Sequence, residues 1–102
     1  MYFYGRVEPF KNTMPKFVMW GSYCENALEK RTPYREAHLQ GLTEQKAKGI
    51  LTALGPTADN TRVFGTYEAD SEEAVRQLVE ADPYWQNGIW TEYALYEWNQ
   101  VF

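Results

Sequence analysis

The chain contains a single histidine, His38, which lies within the segment 35–39. An imidazole titrates near neutral pH, so this side chain is the natural candidate for a general acid or base. An isolated histidine in a small domain is more often a residue that packs against a sheet or faces solvent. The groups that the fold places beside the ring therefore decide between the two interpretations.

The elements that must position His38 begin with four predicted strands. Four segments are predicted as strands: 16–23, 50–55, 61–69 and 89–98. Gly55 and Pro56 close the second segment as a turn.

Two helices are predicted between these strands. Thr32 and Pro33 are typical of a helix start and Gly49 of a helix end, which predicts a first helix over 32–48. Asp70 and Glu73 resemble a capping box that opens a second helix, and this helix ends before Asp82. The order is therefore βαββαβ, an α+β arrangement of the ferredoxin-like type.

The topology predicts which residues meet His38. Right-handed crossovers place both helices on one face of the sheet, with the start of the first helix near the end of the second. That end of the domain collects a candidate acid–base pair, His38 with Asp82. It also collects five candidate substrate-binding residues: Arg35, Ser22, Tyr23, Gly55 and Pro56.

Each of these residues also has a purely structural interpretation. An Asp before a Pro is typical of a cap for the short turn that follows, so Asp82 need not be catalytic. Arg35 could pair with a neighbouring carboxylate, and Gly55 with Pro56 is first of all a turn. No metal-ligand motif or glycine-rich phosphate loop is present in the sequence, so no metal or cofactor is expected.

The strands predict how the chain assembles. Both faces of the fourth strand are largely apolar or aromatic, with Ile89, Thr91, Tyr93 and Leu95 on one face. Its other face holds Trp90, Ala94, Tyr96 and Trp98. The second strand is read in the same way, with Leu51 and Ala53 opposite Ile50 and Leu54. Two helices cover only one face of a four-stranded sheet, so we expect a second copy to cover the other face.

Composition excludes several partner classes. The net charge is -4 and there is no long basic stripe, which argues against nucleic-acid binding. No apolar run is long enough for a membrane span. The single cysteine, Cys24, excludes an intrachain disulfide, and we expect a cytoplasmic protein that binds a small molecule in a cleft.

From Met14 onward the sequence resembles the YciI-like (YCII-related) proteins. The matching stretches are 15–20, 35–39, 54–56, 70–74, 81–88 and 96–98. The resemblance implies a dimeric α+β barrel with a proposed His–Asp pair, at His38 and Asp82 here. It divides the chain into an N-terminal extension, 1–13, and a YciI-like domain, 14–102.

The expected function is proton transfer by a small enzyme without cofactor. Some proteins of the family resemble dehydrochlorinases or lactone-processing enzymes, which implies elimination, isomerisation or dehydrochlorination of a small anionic or carbonyl-bearing molecule. The alternative is a homodimeric module that binds a metabolite or a protein without turnover.

Overall fold

The computed structural model describes residues 14–102, and the predicted extension over 1–13 lies outside the described residues. The elements are, in order, β1 (Lys16–Tyr23), α1 (Ala27–Lys30), a 3₁₀ turn (Thr32–Tyr34), α2 (Arg35–Ala47), β2 (Leu51–Pro56), β3 (Arg62–Glu68), α3 (Glu72–Ala81), α4 (Pro83–Gln86) and β4 (Trp90–Trp98).

The four strands form one antiparallel sheet in the order β2-β3-β1-β4. The two long connections, through α2 and through α3 with α4, link strands that are not hydrogen-bonded to each other. This is the predicted ferredoxin-like α+β fold, and the fold class is confirmed. None of the described helices is long and apolar enough to cross a membrane.

The core lies between the helices and one face of the sheet. Burial alternates along β1, where Phe17 and Met19 are enclosed while Trp20 is exposed. Val75 and Val79 of α3 are enclosed from the other side. A period of two on the strand and of four on the helix directs both sets of side chains into the same layer.

The single glycine of β1, Gly21, is required by close packing. A Cβ on Gly21 would lie 2.8 Å from the carbonyl oxygen of Glu92 on β4, a distance that side chains do not tolerate. The absence of a side chain at this position therefore lets β1 lie flat between its two neighbours.

The end of α2 follows the prediction, whereas its start does not. Gly49 adopts a left-handed φ of 79°, and its N–H donates to the Lys46 carbonyl while that of Ile50 donates to Gln45. This pair of hydrogen bonds is the Schellman motif, so the prediction that the helix ends at Gly49 is confirmed. At the other end Thr32 makes no capping bond, and a 3₁₀ turn precedes the α-helix.

The cap of α3 also differs from the prediction by one residue. Ser71, not Asp70, has the extended N-cap conformation, and its hydroxyl oxygen accepts a hydrogen bond from the Ala74 N–H at 3.1 Å. The predicted box between Asp70 and Glu73 was therefore wrong. A serine hydroxyl reaches the third helical N–H as readily as a carboxylate does.

Two irregularities in the sheet overturn part of the predicted face assignment. The register shifts within β2 between Leu51 and Ala53, so Leu51 turns into the core instead of sharing a face with Ala53. A second shift lies where Ser22 pairs with Glu92 but Tyr23 pairs with Trp90. An extra residue in one strand inverts the alternation beyond it.

The face of the sheet away from the helices, which we call the open face, remains apolar despite these changes. Four large aromatic side chains on it are exposed: Trp20 (41%), Phe64 (44%), Tyr96 (57%) and Trp98 (39%). They belong to three adjacent strands, and Trp20 and Phe64 contact each other edge to face at 6.4 Å. A contiguous aromatic surface of this kind is typical of an interface.

Candidate active site

His38 is the one fully buried residue of α2, with 4% of its surface exposed. It lies in the first turn of the helix, one turn after the 3₁₀ segment. This helix presents its polar residues to solvent, so a buried imidazole needs hydrogen-bonding partners in the interior.

Asp82 supplies that partner. His38 Nδ1 lies 2.8 Å from Oδ1 and 2.9 Å from Oδ2 of the Asp82 carboxylate, which is itself buried. Oδ1 also accepts a hydrogen bond from the Tyr84 N–H at 2.8 Å and so caps α4. The two interpretations of Asp82, histidine partner and helix cap, are therefore both correct and use the same carboxylate.

Two aromatic side chains complete the surroundings of the imidazole. The Tyr84 ring stacks on the His38 ring with centroids 3.6 Å apart and planes within 6°. The indole of Trp90 meets both rings edge to face, at 5.4 Å from His38 and 5.7 Å from Tyr84. Sequence reasoning missed both residues, and Trp90 was placed on the wrong face because the shift in register was not foreseen.

The hydrogen bonds assign the two nitrogens of the imidazole. A carboxylate only accepts, so we assign the Nδ1 proton to the bond with Asp82. In the neutral ring Nε2 then carries the lone pair, and no hydrogen bond joins Nε2 to any residue within 14–102. Nε2 is also not among the fully enclosed unpartnered polar atoms. This end of the ring is therefore neither fully enclosed nor hydrogen-bonded within the described part of the chain.

Tyr23 and two arginines lie near this cluster. Burial raises the pKa of the Tyr23 hydroxyl, while the Trp90 indole and the charge of Arg31 act to lower it. Burial also raises the pKa of Tyr84, and Arg31 and Arg35 act in the opposite direction. Both guanidinium groups therefore place positive charge near the two phenols, and Arg31 was not among the predicted site residues.

The remaining predicted substrate-binding residues lie elsewhere. Ser22 pairs with Glu92 on the open face and its hydroxyl donates to the Glu92 carboxylate at 3.2 Å, so it hydrogen-bonds to neither His38 nor Asp82. Gly55 and Pro56 end β2 and pair with β3. Within the described chain neither residue is hydrogen-bonded to His38. A Cβ on Gly55 would meet nothing within 4 Å, so this glycine is not a point of close approach.

Potential metal ligands are sparse around the pair. Within residues 14–102 no group of three or more His, Cys, Asp or Glu side chains is arranged to hold a metal ion. Cys24 is a free, partly buried thiol that packs against the core.

Solved structures with a similar fold include one enzyme. The chain is 27% identical to 5-chloro-2-hydroxyhydroquinone dehydrochlorinase (TftG) from Burkholderia phenoliruptrix AC1100, solved in complex with 2,5-dihydroxybenzoquinone. The match covers 82% of this chain and 93% of that chain, with a TM-score of 0.71. TftG therefore shares the fold over nearly its whole length.

A second structure supports the fold alone. A dimeric ferredoxin-like protein from an uncultured marine organism has a TM-score of 0.53 and is 11% identical, over 89% of this chain and 92% of that chain. No curated protein matches the sequence significantly. The sequence model of the YCII-related domain matches residues 15–99, so the chain belongs to the YCII-related domain family.

Proposed function

We propose that this protein is a cofactor-independent acid–base enzyme that removes hydrogen chloride from a small hydroxylated ring, with His38 as the catalytic residue. Asp82 holds the imidazole in one orientation and stabilises the imidazolium that forms during proton transfer. The observation that carries this proposal is the buried contact of 2.8 Å between His38 Nδ1 and Asp82, which leaves Nε2 without a partner among residues 14–102.

The chemistry requires only proton movement. Nε2 takes a proton from a ring hydroxyl and delivers it to the carbon that bears chlorine, which converts the ring to its keto form. A second hydroxyl proton then passes to Nε2 as the C–Cl bond breaks and its electron pair leaves with chloride. The net loss is one HCl, and no oxidant or reductant is consumed. A histidine paired with a carboxylate is suited to act first as base and then as acid.

The similarity to TftG supports this reaction class over isomerisation. TftG is named as a dehydrochlorinase, and the match covers 82% of this chain at 27% identity. The positive charges of Arg31 and Arg35 near the phenols of Tyr23 and Tyr84 suit a substrate whose ring oxygens gain negative charge during the reaction.

The experiment is a chloride-release assay with 5-chloro-2-hydroxyhydroquinone and purified protein. We expect turnover that falls at least about 100-fold in His38→Ala and in Asp82→Asn. Ser71→Ala, which removes only the cap of α3, is the matched control and should keep full activity. If the ring binds without chloride release, the protein is a metabolite-binding module and the enzyme proposal is wrong.

We further propose that the working form is a homodimer in which two open faces pack together. Four exposed aromatic side chains on one sheet face support this arrangement, because water contact with so much apolar surface is unfavourable. The single cysteine fits a reducing compartment, so we expect the dimer to act in the cytoplasm.

A further inference from the structure

The indole N–H of Trp90 is a buried hydrogen-bond donor without an acceptor. Trp90 is 2% exposed, and within residues 14–102 its Nε1 has no hydrogen-bond partner. Buried N–H groups in folded proteins are nearly always paired, so an exception calls for an explanation. A ligand oxygen that enters the site would provide the missing acceptor.

The placement of this donor depends on the irregularity in β4. Thr91 is the extra residue between the pairs Ser22 with Glu92 and Tyr23 with Trp90. If Thr91 were paired in a regular strand, the Trp90 side chain would extend to the open face, as those of Ala94 and Tyr96 do. The irregularity instead places the indole with its centroid 5.4 Å from the His38 ring, beside the group that moves protons.

Tyr23 connects the buried indole to a cavity. Tyr23 is the cross-strand partner of Trp90, so the two side chains lie side by side on one face of the sheet, although their polar groups do not meet hydrogen-bond geometry. Tyr23 is half-buried and lines a cavity of about 410 Å³, together with Glu25, Glu29 and Asp59. Tyr23 therefore lies both at this cavity and beside the strand position of the buried indole.

We propose that Trp90 Nε1–H and the Tyr23 hydroxyl form a donor pair that binds one oxygen of the ring substrate beside His38, reached from the cavity that Tyr23 lines. This inference rests on the proposed function and assigns the hydrogen-bond donors that would hold the substrate beside His38. The buried, unpartnered indole N–H carries it.

The charges around the cavity define the class of ligand. Three carboxylates line it, so a small anion is repelled at the entrance. Hydroxyl groups on a neutral ring can donate to these carboxylates while another ring oxygen accepts from Trp90. The site therefore suits a neutral ring with two or more hydroxyl or carbonyl groups, not a carboxylic acid.

The test follows the four indole N–H signals of the ¹⁵N-labelled full chain while resorcinol, a neutral dihydroxybenzene, is added. Trp90→Phe assigns the Trp90 signal by its disappearance. If that variant does not fold, phenylalanine variants of Trp20, Trp85 and Trp98 assign it by elimination.

We expect the Trp90 proton to move downfield more than the other three indole protons, because a new acceptor deshields it. Tyr23→Phe should weaken resorcinol binding about tenfold, and benzoate should bind more weakly than resorcinol. A Trp90 signal that stays fixed, whether resorcinol perturbs other residues or none, overturns the donor pair. Equal binding to Tyr23→Phe overturns the role of Tyr23, and tighter binding of benzoate overturns the ligand class.

The titration with resorcinol measures binding and does not require catalytic turnover. If the Trp90 signal moves but chloride is never released, the donor pair stands and the proposed dehydrochlorination fails. If chloride is released while the Trp90 signal stays fixed, the enzyme proposal stands and the donor pair is wrong.

Discussion

The imidazole of His38 lies flat on the ring of Tyr84, with centroids 3.6 Å apart. Asp82, two residues earlier, holds Nδ1 of the same imidazole and caps the helix that contains Tyr84. One short turn therefore provides both the in-plane and the stacking contact of His38. A substitution that loosens this turn would therefore weaken both the contact of the imidazole with Asp82 and its stacking on Tyr84.

The double use of the Asp82 carboxylate predicts a specific order of stabilities. Asp82→Ala removes the cap of α4 and leaves His38 Nδ1 without its partner, so we expect a loss of about 2–4 kcal/mol in the free energy of unfolding. Asp82→Asn keeps an oxygen for the Tyr84 N–H and should lose about half as much. Urea denaturation at pH 7 measures both.

Ser71→Ala is the matched control for the cap alone, because the Ser71 hydroxyl serves α3 and contacts no histidine. It should cost about 1 kcal/mol. If Asp82→Ala costs no more than Ser71→Ala, the contact with His38 contributes nothing to stability and the coupled description of the turn is incorrect.

Gly21→Ala should destabilise the fold by about 1–3 kcal/mol, because the new methyl group meets the carbonyl oxygen of Glu92 at 2.8 Å. Gly41→Ala is the control, since a Cβ at this helical position meets nothing within 4 Å. It should leave stability unchanged or raise it by about 1 kcal/mol. Thermal unfolding of both variants tests the prediction, and equal melting temperatures would contradict it.

The proposed dimer predicts that charge on the open face separates the subunits. Sedimentation of the wild-type chain should give twice the 12.0 kDa chain mass. Trp20→Glu places a carboxylate in the aromatic surface and should weaken association by more than about tenfold. Leu39→Glu, at a similarly exposed apolar position on α2, should leave the dimer intact. A monomeric wild-type chain at micromolar concentration would refute the dimer.

Tyrosine ionisation predicts a loss of stability at alkaline pH. Burial, aided by the hydrogen bond to Glu80, raises the pKa of Tyr93 to about 12. The unfolded phenol ionises near pH 10, so its stabilising contribution is complete below pH 10 and disappears as pH rises toward 12.

The comparison is between wild type and Tyr93→Phe, with urea midpoints measured at pH 9 and pH 11. Wild type should lose more stability than the variant over this interval, because the variant has no phenol to ionise at this position. Parallel losses in the two proteins would show that Tyr93 does not contribute.

The sequence alone predicted the order of the four strands and the two long helices, and β1 to the residue, because alternation and glycine or proline boundaries are strong local signals. The short helix α1 was not predicted. The topology placed His38 and Asp82, 44 positions apart, at one end of the domain, and the family resemblance implied the same pair. The same topological argument also placed Ser22, Gly55 and Pro56 in the site, although they lie elsewhere. Topology therefore predicts the end of the domain that a residue occupies, but not its contacts.

Faces and partners were less predictable. An extra residue at Thr91 turns Trp90 inward, and no local signal in the sequence marks it. The stack of Tyr84 on His38 depends on the geometry of a four-residue helix, and the contribution of Arg31 depends on where α1 ends. Tertiary packing decides each of these features, so a periodic pattern could not reveal them.

The extra residue at Thr91 divides β4 into two parts with separate duties. Before it, Trp90 serves the interior; after it, Ala94 and Tyr96 serve the open face. Substitutions that adapt the outer half to a new partner surface can therefore accumulate without disturbing the inner half, and the reverse also holds. A regular strand that paired Thr91 would turn Trp90 to solvent, whereas removal of Thr91 would leave Trp90 opposite Tyr23 and facing the interior. The unpaired residue is therefore what allows the two parts of β4 to follow separate alternations.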